Sequence, residues 1–498
     1  MKPQTEYILV KCNIMKDKKP GKEVYKNVHA IVPTKPHIRD KMKQSGDKQK
    51  PSILILGIDS VSRLNIMRTL PKTLSSLHYG GWVELKGYNK IGDNTFPNVV
   101  AILTGHSAEH LKSCWKSKQE ELDNCPFLWK EFNNQSYVTA YGEDQTSITT
   151  FNYNKKGFLT QPTDYYLRPF LLAAEKKLSL KQRDGMDICL GPASTAENML
   201  KYLTDFAYTF RNMPYFSFMW MNNLSHNNPN NLAAMDYRFL QFFNELEQYG
   251  TLNNTFVIFL SDHGMRFGKM RETVVGWYEE RLPFIQIWIP KWFRRKYPQH
   301  YNNILINRDK LTSPYDLHLM LKHILALNSN ENLDENQMFI NGTVSCSTCR
   351  SLLNEIPYNR SCEDAGITPH WCTCHQYETL SPVDENVQAA ARYVVTDINK
   401  RLMKAVNKTE SSQKCADLSL KRLVNVRGRV NEKNKHIDLV ILIETVPGNA
   451  MFEATVRYEL TKKSYQILGL ISRINMYWGQ SKCVNDSSLK LYCYCVKS

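Results

Sequence analysis

No apolar run in this chain approaches the roughly 18 residues that a membrane-spanning helix needs, so no stretch of it reads as one. The start, MKPQTEYILVKC, lacks the apolar core of a signal peptide. There is no internal repeat and no low-complexity tract, which excludes solenoids and arrays. No basic run is interleaved with aromatics, so nucleic acid is not an expected partner. Acid is the scarcer charge. The net charge of +16 and pI of about 9.1 fit a surface that attracts phosphate esters, acidic glycans or lipid headgroups. A merely lysine-rich surface is the plainer reading, and the favoured one.

What is present reads as globular. Apolar residues make up 42% and charged residues 22%, both ordinary values. A chain of 498 residues has room for one large and one small domain. Of 13 cysteines, nine lie between Cys346 and Cys495. That density points to an oxidising compartment, extracellular or in the secretory lumen, and to a stapled carboxyl-terminal half. The rival is a zinc ribbon built from Cys346/Cys349 and Cys372/Cys374, disfavoured because the second pair is separated by one residue. Sequons at Asn134, Asn223, Asn253, Asn341, Asn359, Asn407 and Asn485 add weak support for a glycoprotein.

The stretch Ser52–Gly105 organises the rest. Ile53–Ile58 is aliphatic and ends on Asp59, the pattern of a strand buried on both faces. Such strands belong to parallel sheets, which carry their chemistry at strand carboxyl ends. Pro97 suits a first helical turn, so Pro97–Leu103 is expected as a short helix with Thr95 at its mouth, where N–H groups favour an anion. A threonine hydroxyl is a weak nucleophile and needs a base or metal. Thr255–Leu260 is a second buried strand, and it leads to Asp262-His263. Asp59, Thr95, Asp262 and His263 make a plausible ligand set for Zn²⁺, with Mn²⁺ also suited.

Further expectations follow along the chain. Residues 1–50 read as an extension paired to the edge of a core spanning 51–378. Tyr137–Tyr141 is a candidate strand ending at Glu143 and Asp144, read as solvated acids in preference to extra ligands. Tyr215–Met221 is a buried strand ending in Asn222. Arg271, close after the ligand pair, is a candidate clamp on a phosphoryl oxygen, against a salt-bridged loop. His318 reads as structural. Asn328–Phe339 is linker-like. From Val383 a long helix and four alternating segments form a small α+β domain over 379–498.

The segments LGIDSVSRLN, GYNKIGDNTFPNVVAILTG, LSHNNPN, SDHGMRFGKMRETVVGWYEERLPF and RSCEDAGITPHWCTC resemble the animal domain-of-unknown-function family two-two-nine. GIDS, NTFPN and SDHG, in that order, resemble the alkaline-phosphatase superfamily, and NTFPN its threonine-nucleophile branch. The resemblance implies a mostly parallel sheet sandwiched by helices, with a smaller cysteine-rich α+β carboxyl-terminal domain. It implies one or two metal ions, with His226 and His370 as further ligands. Asn222 stands where the superfamily has an aspartate, which weakens a second metal and leaves Asn222 to touch substrate. If that metal is absent, His226 could bind phosphate or protonate the leaving oxygen. Family members usually begin with a signal or anchor, so a missing amino-terminal address is expected here. The implied activity is a metal-dependent phosphoester hydrolase or phosphotransferase, with phosphodiesters the first choice. Its substrate would be a phosphorylated small molecule, glycan or lipid. Thr95-Phe96-Pro97 lacks the residues of a sulfatase motif. The alternatives are a phosphoethanolamine- or phosphoglycerol-type transferase, or a secreted non-catalytic binder of anionic glycans or phospholipids.

Overall fold

Alternation along one strand explains the main architecture. In the computed structural model, Ser52–Ile58 is buried at every position. Ile53 and Ile55 enter one hydrophobic cluster, while Leu54, Leu56 and Ile58 enter another. A strand that feeds two cores must be central, with helices on both faces of its sheet. Its sheet has seven strands, in the order Val83–Glu84, Ile285–Trp288, Thr255–Leu260, Ser52–Ile58, Tyr215–Met221, Val138–Glu143 and Tyr165–Tyr166. Six of these run in one direction, and Ile285–Trp288 runs against them, pairing antiparallel with Thr255–Leu260 and with Val83–Glu84. The register sets Leu260 beside Gly57 and Met221 beside Ile58, so the residues that follow all leave from one edge.

The structure describes residues 5–16, 19–44, 50–329, 341–406, 413–431, 435–477, 479–484 and 486–497. Most of the linker-like Asn328–Phe339 and the sequons at Asn407 and Asn485 lie outside them. The chain divides into two compact units. The first is Met1–Gly264, Leu282–Arg360 and Asp364–Gly366; the second is Met265–Arg281, Ser361–Glu363 and Ile367–Ser498. This differs from a boundary at 378/379. Residues 265–281 sit between two core strands in sequence, yet they pack with the carboxyl-terminal unit, as does the cysteine-rich 367–378.

In the first unit, among the described residues, the amino-terminal strands Tyr7–Lys16 and Lys19–Ala30 pair only with each other, as a two-stranded ribbon. Val28 and Ile38 of this amino-terminal segment enter the core cluster that holds Leu54, Leu56 and Ile58. Helix Thr195–Thr209 starts at a capping box of Ser194 and Glu197. Helix Asp236–Gln248 packs Phe239, Phe243 and Leu246 into the core. In the second unit, helix Glu385–Val406 shares a core with an antiparallel sheet. That sheet is ordered Glu378–Thr379, Ser419–Asn431, His436–Val446, Ala450–Glu459 and Ser464–Ile467, with Ser472–Arg473 also on Ala450–Glu459. This is the smaller α+β unit the sequence implies.

Five disulfides join Cys114–Cys125, Cys346–Cys349, Cys362–Cys372, Cys415–Cys493 and Cys483–Cys495. Cys346, Cys349 and Cys372 are consumed in these bonds, so the zinc ribbon is excluded. No helix among the described residues is long and apolar enough to cross a membrane.

Candidate active site at the strand carboxyl ends

Two neighbouring strands deliver the acid and imidazole groups. Asp59 follows Ser52–Ile58, and Asp262-His263 follows Thr255–Leu260; all three side chains are at most 2% exposed. One ligand atom from each of Asp59, Asp262 and His263 lies within 4.8 Å of the others. His263 Nε2 stands 3.5 Å from Asp59 Oδ1 and 3.2 Å from Asp262 Oδ2. The turn after Asp59 is strained: Ser60 adopts φ +63°. A non-glycine residue in that region costs on the order of 1 kcal/mol or more and persists only where its surroundings hold it. Here the Ser60 amide donates to Asp262 Oδ1 at 3.2 Å, and its hydroxyl donates to Asp59 Oδ1 at 2.9 Å. The strain thus ties the two acids to one turn.

Thr95 opens the helix Thr95–Thr104, two residues earlier than the sequence pattern places its start. Its hydroxyl donates to Asp59 Oδ1 at 3.2 Å. Asn98 holds the loop that presents it. Asn98 Oδ1 accepts from the Ile91 and Gly92 amides at 2.8 and 3.2 Å, and its Nδ2 donates to the Gly92 and Asn94 carbonyls at 3.1 and 2.9 Å. At Gly92 any Cβ would meet the Pro97 ring at 2.5 Å, so the loop can close only on glycine.

The chemistry of the donor set tests the metal. His263 Nδ1 lies 2.8 Å from the Gly264 carbonyl oxygen, which can only accept. Nδ1 therefore carries a proton, and in the neutral ring the Nε2 lone pair faces two carboxylates. Three acceptors converging in a buried space repel unless a proton or a cation lies among them. Burial, then the Asp59 charge, pushes the Asp262 carboxyl above its usual range, against hydrogen bonds from Thr95 and the Ser60 amide. Two carboxylates and an imidazole nitrogen suit Zn²⁺ or Mn²⁺, so Asp59, Asp262 and His263 could hold such an ion with the Thr95 hydroxyl beside it.

The remaining candidates divide. His226 is partly exposed; its Nε2 stands 3.9 Å from Asp59 Oδ2, and its Nδ1 lies 2.7 Å from Asn227 Oδ1. It faces the cluster without lying inside it. Asn222 is buried and gives its side-chain amide to Glu143 Oε2 at 2.8 Å. His370 lies in the second unit, fully buried, with Nδ1 2.9 Å from Thr455 Oγ1 and Nε2 3.3 Å from Ser472 Oγ. The expectation of a ligand there gives way to a packed histidine engaged at both nitrogens. Arg271 also lies in the second unit, 3% exposed, with Nη2 3.3 Å from Glu453 and 3.7 Å from Glu280. Its guanidinium belongs to a buried ion cluster, which corrects the reading as a substrate clamp.

Glu143 and Asp144 are buried, not solvated. Glu143 accepts from the Tyr141 hydroxyl, the Thr150 amide and Asn222. Asp144 Oδ1 accepts from the Asn222 amide at 2.8 Å, and its Oδ2 from the Asn223 amide at 3.2 Å. Burial pushes Asp144 up to about 7 despite these bonds. The pair shapes the strand end that carries Asn222 and His226. The sequon at Asn223 is also buried, its amide given to Asp144 and Thr195, so it presents no acceptor for a glycan. Asn98, Ser60 and the buried Lys90 were not singled out from sequence. Asn98 alone had a signal there, as a polar residue on an otherwise apolar short helix.

The chain belongs to the family described as "Protein of unknown function (DUF229)", whose model matches residues 1–424. No curated protein matches it in sequence. Among solved structures it is similar to a protein in the alkaline phosphatase superfamily from Vibrio parahaemolyticus, at 12% identity and a TM-score of 0.40, over 85% of this chain and 83% of that one. It is similar to the lipoteichoic acid synthase LtaP from Listeria monocytogenes, at 12% identity and a TM-score of 0.40, over 64% of this chain and 81% of that one. It is similar to the carboxyl-terminal periplasmic domain of EcEptC from Escherichia coli, at 13% identity and a TM-score of 0.38, over 63% and 88%. Likenesses this distant carry no conclusion about the chemistry of this chain.

Proposed function

We propose that this protein is a metal-dependent phosphoester hydrolase or phosphotransferase, acting first on phosphodiesters, with Thr95 as nucleophile. The observation that carries the reading is the convergence of the Thr95 hydroxyl, two buried carboxylates and an imidazole lone pair on one small volume. A divalent cation held by Asp59, Asp262 and His263 supplies positive charge that favours the alkoxide form of a nearby hydroxyl and offsets charge on a phosphoryl group.

The chain's own residues account for the rest. Thr95 Oγ1 points its proton at Asp59 Oδ1. Attack forms the bond from Thr95 Oγ1 to phosphorus and breaks the bond to the leaving oxygen, in line. The N–H groups at the start of Thr95–Thr104 face the phosphoryl oxygens and favour their charge. In this reading His226, whose Nε2 stands 3.9 Å from Asp59 Oδ2, gives a proton to the leaving oxygen. Water then attacks the phosphothreonine and frees Thr95; an acceptor alcohol in its place makes the reaction a transfer. We place this chemistry in an oxidising compartment, extracellular or secretory, because five disulfides would not persist in a reducing one.

The test is turnover of bis(4-nitrophenyl) phosphate by metal-loaded protein. Wild type turns over, Thr95→Ala does not, and Thr95→Ser keeps part of the rate. Equal rates for wild type and Thr95→Ala would refute the nucleophile, and absence of turnover by wild type on mono- and diesters would favour a binding protein. Product analysis with and without an added alcohol separates hydrolysis from transfer.

A further inference from the structure

Among the described residues, a lysine beside the nucleophile helix is held as a cation with no carboxylate in ion-pair contact. Lys155 lies on the loop after the strand Val138–Glu143. Its ammonium donates to the Thr150 carbonyl at 3.1 Å and the Tyr153 carbonyl at 3.2 Å. It also sits 4.5 Å from the centroid of the Phe96 ring, the residue after Thr95. An ammonium has three donors, and two are spent on carbonyls. Among the described residues no carboxylate comes within ion-pair distance of it. The Glu143 charge favours the charged form, and Lys118 opposes it. Burial lowers the ammonium to about 8, the mark of a charge stripped of water and incompletely compensated.

The position is tied to the site at two points. Phe96 carries it to the first turn of the Thr95 helix. Thr150, whose carbonyl it holds, gives its own amide to Glu143 at 2.9 Å, and Glu143 grips the Asn222 side chain at 2.8 Å. A half-buried cation costs free energy unless an anion completes it.

We propose that Lys155, backed by the Phe96 ring, is a substrate-binding arm of this site that takes an anionic oxygen of a phosphorylated substrate. The oxygen belongs either to the reacting phosphoryl group or to a second anionic group attached to it. The proposal rests on the phosphoester reading above and adds a residue that reads substrate charge.

The experiment is calorimetric titration of Zn²⁺-loaded full chain with inorganic phosphate and with pyrophosphate, for wild type, Lys155→Met, Lys155→Arg and Thr95→Ala. Methionine keeps the stem on Phe96 and removes the charge. Lys155→Met weakens binding by about tenfold or more, as loss of a charge-assisted bond implies. Lys155→Arg restores most of it at an unchanged melting temperature. Weakening toward both ligands assigns the phosphoryl oxygen; weakening toward pyrophosphate alone assigns the attached group. Unchanged binding of both ligands overturns the proposal. Thr95→Ala keeps the anion binding, so a failed nucleophile and a failed binding arm give different results. Should Lys155→Met not fold, amine acetylation of wild type decides: phosphate protects Lys155 if the proposal holds, and lack of protection overturns it.

Discussion

Each unit buries a cluster of charges, and the two are built on opposite rules. In the second unit Arg281 bonds Glu280 at 3.0 Å and Glu453 at 2.6 Å, while Arg271 reaches Glu453 at 3.3 Å. Burial works against the Glu453 charge, but the Arg281 and Arg271 guanidiniums hold its carboxyl well below the usual range. The cluster is complete: every charge faces its opposite, and Arg281 also covers the Trp277 ring at 4.1 Å. In the first unit Asp59 and Asp262 face one another with like sign beside His263, and the Asp59 charge raises the Asp262 carboxyl. A cluster that compensates itself holds structure. One that repels itself is stable only with something added, and that is the mark of a site.

The contrast can be broken by substitution. Asp59→Asn removes both an expected ligand and the acceptor of the Thr95 proton. Turnover should fall by at least about a thousandfold, with little change in melting temperature; retained turnover would separate Asp59 from the chemistry. Glu453→Gln leaves the buried Arg281 and Arg271 guanidiniums with Glu280 as their shared carboxylate. It should cost about 3 kcal/mol of stability in urea unfolding while leaving metal binding intact; a stability change within error would show that the ion cluster contributes nothing. Asn98→Ala loosens the loop before Thr95. It should cost about 1–2 kcal/mol and lower kcat more than it raises KM; an unchanged kcat would remove Asn98 from the positioning of Thr95.

The remaining test is a pH slope. Asp144 rises from 3.8 when free to about 7 when folded, so the folded state keeps a proton that the unfolded chain releases. Its contribution is present in full below about pH 4 and is lost as pH rises toward 7. Stability of Asp144→Asn should therefore fall less steeply than wild type over that range. Parallel curves would show that Asp144 ionises normally.

Strand ends were the legible part of the sequence. Asp59 and Asp262-His263 each follow an uninterrupted aliphatic run, and a doubly buried strand can end its burial only where the sheet edge begins. Glu143 and Asp144 also end a strand, but periodicity does not say which loops will cover an edge. Burial by Thr150, Asn222 and Thr195 made them structural partners instead of solvated acids. Arg271 and His370 show the other limit. Their spacing from His263 suited a ligand and a clamp, yet distance along a chain does not tell which core a segment joins. Residues 265–281 leave the first core between two of its own strands and pack in the second, carrying Arg271 and Arg281 to Glu453. Ser60 gave no signal, because a serine at positive φ looks like any other.

Metal content measured on protein purified without chelators, for wild type and Asp262→Asn, is the most direct test of the self-repelling cluster. The account predicts about one equivalent or more of Zn²⁺ or Mn²⁺ per wild-type chain and its loss from the variant. A wild-type chain that binds neither ion, even when either is supplied, would contradict it, as would a variant that binds as much as wild type.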